Sequence, residues 1–112
     1  HNCGCAKALY GNYIEMGLTV WETVAPHPQG DNDLAEAKET IGQRVCIMGN
    51  LDQLDFLKIA SPEEVAAKTR QIVEIGKPGG KFIFAASDFI ERNTPIQNFK
   101  AMIQSAKDAA SY

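Results

Sequence analysis

The sequence predicts an α/β fold, a parallel sheet assembled from βα units. Three observations carry that expectation. Helix-start signatures recur along the chain, short apolar runs rich in Val, Ile, Phe and Trp lie between them, and the two kinds of segment alternate. Alternating strands and helices make right-handed βαβ units the default arrangement. Apolar runs that are nearly continuous read as parallel strands covered on both faces.

A first helix is expected over residues 6–16, closed by Gly17, which can take the left-handed conformation of a helix end. The first strand follows over residues 18–24. Asp33-Leu34-Ala35-Glu36 then opens a helix with Asp33 as N-cap, and Leu34, Ala37 and Ile41 share one face. Gly42 closes this helix just ahead of a second strand over residues 44–49. Ser61-Pro62-Glu63-Glu64 is a capping box, with Ser at the cap, Pro at the first helical position and Glu at the third. Its helix carries the stripe Val65, Ala66, Ile72 and Val73 and is expected to stop at Gly76. The third strand covers residues 81–86. Thr94-Pro95-Ile96-Gln97 repeats the capping pattern, and the last helix presents Ile96, Phe99, Met102, Ile103 and Ala106. Helix-to-sheet burial is assigned to Leu34, Ile41, Val65, Ile72, Phe99 and Ile103. Turn residues concentrate at 26–31 and 76–80, and no linker divides residues 1–112.

A net charge of -3 without a Lys/Arg cluster argues against nucleic acid or an anionic membrane as partner. No apolar run approaches the roughly 20 residues that span a bilayer. Three cysteines, two of them one residue apart, do not make a disulfide framework, so a reducing cytoplasm is the expected compartment.

Polar residues gather where the strands end. Glu22 lies near the end of the first run, Asn50 and Asp52 follow the second, and Ser87 and Asp88 follow the third. His1-Asn2-Cys3-Gly4-Cys5 precedes the first helix, where an earlier strand would finish. The carboxyl ends of parallel strands are where α/β sheets and barrels assemble chemistry. In an extended segment His1 and Cys3 point the same way, with Cys5 on that side again. An imidazole nitrogen and a thiolate are two ligands of a zinc site, and a catalytic zinc needs three from protein. Glu22, Asn50, Asp52 and Asp88 are the candidate catalytic residues, with Trp21 and Asn50 as candidates for the wall of a cofactor site. Cys46 reads as core packing, Asp33 as a cap, and His27 as an exposed loop residue.

His1-Asn2-Cys3-Gly4, the strand carrying Trp21, Gly30-Asp31-Asn32-Asp33-Leu34, Met48-Gly49-Asn50-Leu51-Asp52, Ser61-Pro62-Glu63-Glu64-Val65 and Thr94-Pro95 followed by Asn98 occur in this order. Together they resemble the uroporphyrinogen decarboxylase superfamily, which includes the cobalamin-dependent methyltransferases. The resemblance covers essentially the whole chain and matches the C-terminal part of those proteins. It implies a (β/α)8 barrel, in general of ~250 residues or more. Residues 1–112 would then be a C-terminal fragment of one barrel domain, supplying the last three strands and four helices. A His-x-Cys pair marks the zinc methyltransferase branch, so the resemblance implies His1 and Cys3 as the first two metal ligands. The coenzyme M methyltransferases of that branch carry a second Cys after the last strand, where this chain has Ser87-Asp88. Glu22, then Asp88, then Cys5 are the candidates for the third ligand.

The activity so implied is zinc-dependent transfer of a methyl group between methylcobalamin and a small acceptor or donor. The cobalamin (corrinoid) would be carried by a partner protein. The alternatives are a metal-free uroporphyrinogen decarboxylase, a lyase acting on a tetrapyrrole, and a truncated, non-enzymatic fragment. A barrel sheet cut between strands has open edges and bare apolar side chains, so the 112-residue chain alone is expected to self-associate as a dimer and to lack activity.

Overall fold

The structure, a computed structural model, describes residues 1–111. Strands β1 (Val20–Val24), β2 (Cys46–Leu51) and β3 (Phe82–Ala86) form one sheet in that order, each neighbouring pair parallel. Helices α1 (Tyr10–Glu15), α2 (Leu34–Thr40), α3 (Pro62–Gly76) and α4 (Ile96–Ala109) complete the βα order. A 3-10 turn at Lys7–Leu9 precedes α1, and a π-helical turn at Gln53–Leu57 follows β2. The α/β expectation and the parallel pairing thus hold, with strand positions within two residues of those read from sequence.

The register places Trp21 beside Ile47 and Ile47 beside Phe82, on the face that α2 and α3 cover. Trp21 and Ile47 are buried, whereas Val20 and Ile83 on the opposite face are 40% and 45% exposed. The strands were expected to be covered on both faces. Instead β1 alternates between exposed and buried, because among the described residues only one face of the sheet carries helices. Trp21 anchors the core at 1% exposure, its ring packed edgewise on Tyr10 at 5.4 Å and tilted on Tyr13 at 5.1 Å. Leu34, Ile41, Val65, Ile72 and Met102 join the same core.

Local cap chemistry explains most helix starts. Asp33 accepts the Glu36 N–H at 2.9 Å, and Ser61 and Glu64 exchange both bonds of a capping box. The start of α4 differs from expectation. Pro95, with ψ 130°, is itself the cap residue, and its carbonyl takes the Asn98 N–H at 3.0 Å, so the helix begins at Ile96 and Thr94 makes no cap bond.

The face of α4 differs too. The Asn98 amide donates to the Leu57 and Ala60 carbonyls at 2.8 and 2.7 Å, which turns Asn98, Met102 and Ser105 inward. Ile103, expected to face the sheet, is therefore 38% exposed, while Phe99 packs partly buried against the core. Gly17 closes its helix at φ 70°, and α3 stops at Gly76 as expected, where Gly76 has a packing role as well. It is the last residue of α3 and lies flat against the Phe82 ring, where a Cβ would come within 2.3 Å. No described helix is long and apolar enough to cross a membrane.

Candidate metal centre

The segment before α1 is laid against β1 like a further strand. The Asn2 N–H reaches the Glu22 carbonyl at 3.4 Å, and the Trp21 indole N–H donates to the Asn2 carbonyl at 3.0 Å. The Asn2 side chain turns inward to the Tyr13 hydroxyl. Period-two alternation then sends His1 and Cys3 the other way, and both are exposed. Gly4, at φ 80°, bends the chain away, so Cys5 leaves that side and lines a separate cleft with Asp31 and Asp52.

His1 and Cys3 meet Asp88 from the far end of the sheet. One ligand atom from each of His1, Cys3 and Asp88 lies within 4.8 Å of the other two. One imidazole nitrogen, one sulfur and one carboxylate oxygen are a donor set that zinc accepts, and three protein ligands leave its fourth position open. Neighbouring ligand atoms around a tetrahedral zinc lie about 3.4–3.8 Å apart, so closing on an ion needs movement on the order of 1 Å, which exposed side chains can make. The residues fit the metal.

Glu22 stands one step behind. Its carboxylate oxygen lies 3.0 Å from His1 Nδ1, and both side chains are half exposed. A bond of this kind is how carboxylates orient histidine ligands. Asp88 is fixed through one oxygen, which accepts the Phe89 N–H at 2.8 Å. Of the candidates for a third ligand, geometry thus groups Asp88 with His1 and Cys3, gives Glu22 to His1, and sets Cys5 apart.

The remaining candidates take other places. Trp21, considered for a cofactor face, is buried in the core. Asn50 adopts φ 85° and spends its amide on the Val24 carbonyl at 3.1 Å, tying β2 to β1. Asp52 caps the π-helical turn, accepting the Leu54 and Asp55 N–H groups at 2.9 and 3.0 Å. It borders a cleft of about 790 Å³ between α2 and α3 that His1, Cys3 and Asp88 do not line. Sequence reasoning missed Asp31 and Asn32, which hold the Gly4–Lys7 stretch through hydrogen bonds. Their Gly-Asp-Asn-Asp run was visible, but only Asp33 had a local role to read.

The sequence profile of uroporphyrinogen decarboxylase (URO-D) matches residues 1–109. The chain belongs to the uroporphyrinogen decarboxylase family. Among relatives, uroporphyrinogen decarboxylase of Azoarcus sp. (strain BH72) is 32% identical over 76 residues, 68% of this chain and 21% of that protein. Methylcobamide:CoM methyltransferase MtaA of Methanosarcina barkeri is 27% identical over 106 residues, 92% of this chain and 28% of that protein. A methyltransferase from Methanosarcina mazei superposes with a TM-score of 0.79 at 20% identity, over 97% of this chain and 30% of that one. That superposition shows the fold, consecutive βα units of a TIM-type barrel. This member of the uroporphyrinogen decarboxylase family spans between a fifth and a third of the length of these relatives.

Proposed function

We propose that residues 1–112 are the C-terminal part of a corrinoid-linked zinc methyltransferase and carry most of its metal centre. The observation that supports this reading is the convergence of His1, Cys3 and Asp88 ligand atoms to within 4.8 Å. In the complete barrel a partner protein carries the cobalamin, and a small molecule gives or takes the methyl group. The three cysteines stay free, which suits a reducing cytoplasm.

His1, Cys3 and Asp88 would hold the zinc. Bound there, zinc supplies Lewis acidity, lowering the pKa of a coordinated thiol or polarising a methoxy or methylamine group. Glu22 accepts the proton at His1 Nδ1, fixing the tautomer so that the other ring nitrogen is free to bind. Asp88 takes the place of a second thiolate. A carboxylate pushes less charge onto the centre than sulfur does, so this donor set favours activation of a methyl donor over generation of a thiolate acceptor.

The second reading is a metal-free decarboxylase, favoured by the 32% identity to the Azoarcus enzyme. Metal analysis separates the two. Purified under reducing conditions, the complete protein carries about one zinc per chain, and Cys3→Ser removes most of it, since too few ligands remain. Asp88→Ala does the same, whereas Glu22→Gln retains zinc at affinity lowered by about tenfold. Active wild-type protein without zinc overturns the methyltransferase reading.

A further inference from the structure

We propose that the Gly30-Asp31-Asn32 loop is a clamp that presets the backbone of the ligand segment, with Asp31 and Asn32 as positioning residues for Cys3. The inference rests on the metal-centre reading and deepens it.

Asn32 is 2% exposed and sits among three separate stretches of chain. Its amide nitrogen donates to the Gly4 carbonyl at 3.0 Å and to the Ala25 carbonyl at 2.9 Å. Its amide oxygen accepts the Tyr10 hydroxyl at 3.2 Å. Burial pushes the Tyr10 phenol up to about 12, so it remains a donor throughout the neutral range. Both amide protons and the oxygen are thus engaged, which fixes which way the group points.

Asp31 grips the next residues along. One carboxylate oxygen accepts the Ala6 N–H at 2.8 Å and the Lys7 N–H at 3.2 Å. Gly30 completes the grip by what it lacks. A Cβ there would lie 2.5 Å from the Gly4 oxygen and 2.4 Å from the Ala25 oxygen, so only glycine lets the two segments touch.

These contacts bracket one residue. Asn2 is tied to β1 through its N–H and its carbonyl, and Gly4 is tied to the loop through its carbonyl. Cys3 is the single residue between the two anchors. None of the clamp residues is a candidate ligand, yet together they decide where the Cys3 sulfur stands. A ligand held this way gives up its backbone freedom at folding rather than at metal binding.

The test is cobalt(II) titration of the complete protein, read by the thiolate-to-cobalt charge-transfer band and by far-ultraviolet circular dichroism as a check of the fold. Wild type shows the band. Asp31→Ala weakens cobalt affinity by about tenfold, while Asp31→Asn, which keeps an acceptor oxygen, restores it. Gly30→Ala weakens affinity as well and covers the case in which an Asn32 variant fails to fold. Wild-type affinity in both Asp31→Ala and Gly30→Ala overturns the clamp and leaves the metal centre standing. Failure of Asp31→Asn to restore affinity also overturns it, because the acceptor is then not what matters. Absence of the band in wild type sinks the metal-centre reading and the clamp with it.

Discussion

Alanine at Gly11 and alanine at Gly76 set helix propensity against packing in one chain. Both glycines lie inside helices, and Ala is favoured over Gly there by about 1 kcal/mol. At Gly11 a Cβ meets nothing within 4 Å, so Gly11→Ala stabilises by roughly 0.5–1 kcal/mol. At Gly76 the same Cβ lies 2.3, 2.4 and 2.5 Å from three atoms of the Phe82 ring. Carbon atoms pack at about 3.5–4.0 Å, so the ring has to move by more than 1 Å. Overpacking of this kind costs about 1–3 kcal/mol, and at the last residue of α3 the propensity gain is smaller than in mid-helix. Gly76→Ala is therefore a net loss of about 1–2 kcal/mol. The assay is urea unfolding followed by Trp21, the one tryptophan, which is buried beside Tyr10 and Tyr13. The two midpoints should move in opposite directions at unchanged slope. A Gly76→Ala midpoint raised as much as that of Gly11→Ala would refute the packing argument. Phe82→Leu combined with Gly76→Ala should recover part of the loss, because the colliding ring is gone.

Ser61→Ala removes the hydroxyl of the capping box and lowers stability by about 1 kcal/mol, measured by the same unfolding assay. The Ser61 backbone N–H, and after it the Ser61 side chain, hold the Glu64 carboxyl below its usual range. Its contribution is present above the unfolded pKa and is lost as pH falls through the folded one, and Ser61→Ala, which keeps the Ser61 N–H, should flatten that acid limb only in part. Burial raises the Tyr10 pKa to about 12, so stability is complete below pH 10 and declines between pH 10 and 12 as the unfolded chain ionises first. Phenolate absorbance that shows all three tyrosines titrating near pH 10 in folded protein would contradict this. The 112-residue chain alone should sediment as a dimer at micromolar concentration, since Val20 and Ile83 stand bare on the uncovered sheet face. A stable monomer would refute that.

What the sequence disclosed follows the range of each interaction. Asp33 and Ser61 bond to residues three positions away, so their helix starts are legible in four letters. The Thr94-Pro95 start shares those letters but lies where Asn98 bonds to Leu57 and Ala60, and that distant contact sets both the cap and the buried face. Gly76 reads as a stop signal, but its contact with the Phe82 ring shows only in the fold. The candidate metal centre divides in the same way. That His1 and Cys3 share a side is legible from period-two spacing, and the family resemblance implies them as ligands. Choosing Asp88 over Glu22 is not legible, because it depends on how far the two ends of the sheet lie apart.

That distance follows from where the chain places the segments around the sheet. Four chain segments lie side by side, the His1–Cys3 stretch against β1, then β2 and β3. In a flat sheet three interstrand gaps would hold the outer side chains about 14 Å apart. One ligand atom from each of His1, Cys3 and Asp88 lies within 4.8 Å of the other two, far closer than that spacing, and Asp88 lies in the loop beyond β3 rather than in a strand. The β1 strand is irregular next to this cluster. Pairing of β1 with β2 slips between Glu22 and Val24, and buried Thr23 takes φ 67°, a conformation that a β-branched residue rarely adopts. A slip of this kind bends its strand and re-aims the side chains beside it. Opposite it, Gly49 takes φ 135°, with space for a Cβ only 3.0 Å from the Val24 nitrogen. Glu22, at the slip, is the residue whose carboxylate meets His1. The strain at Thr23, on the order of 1–3 kcal/mol, thus lies next to the residue whose carboxylate meets His1.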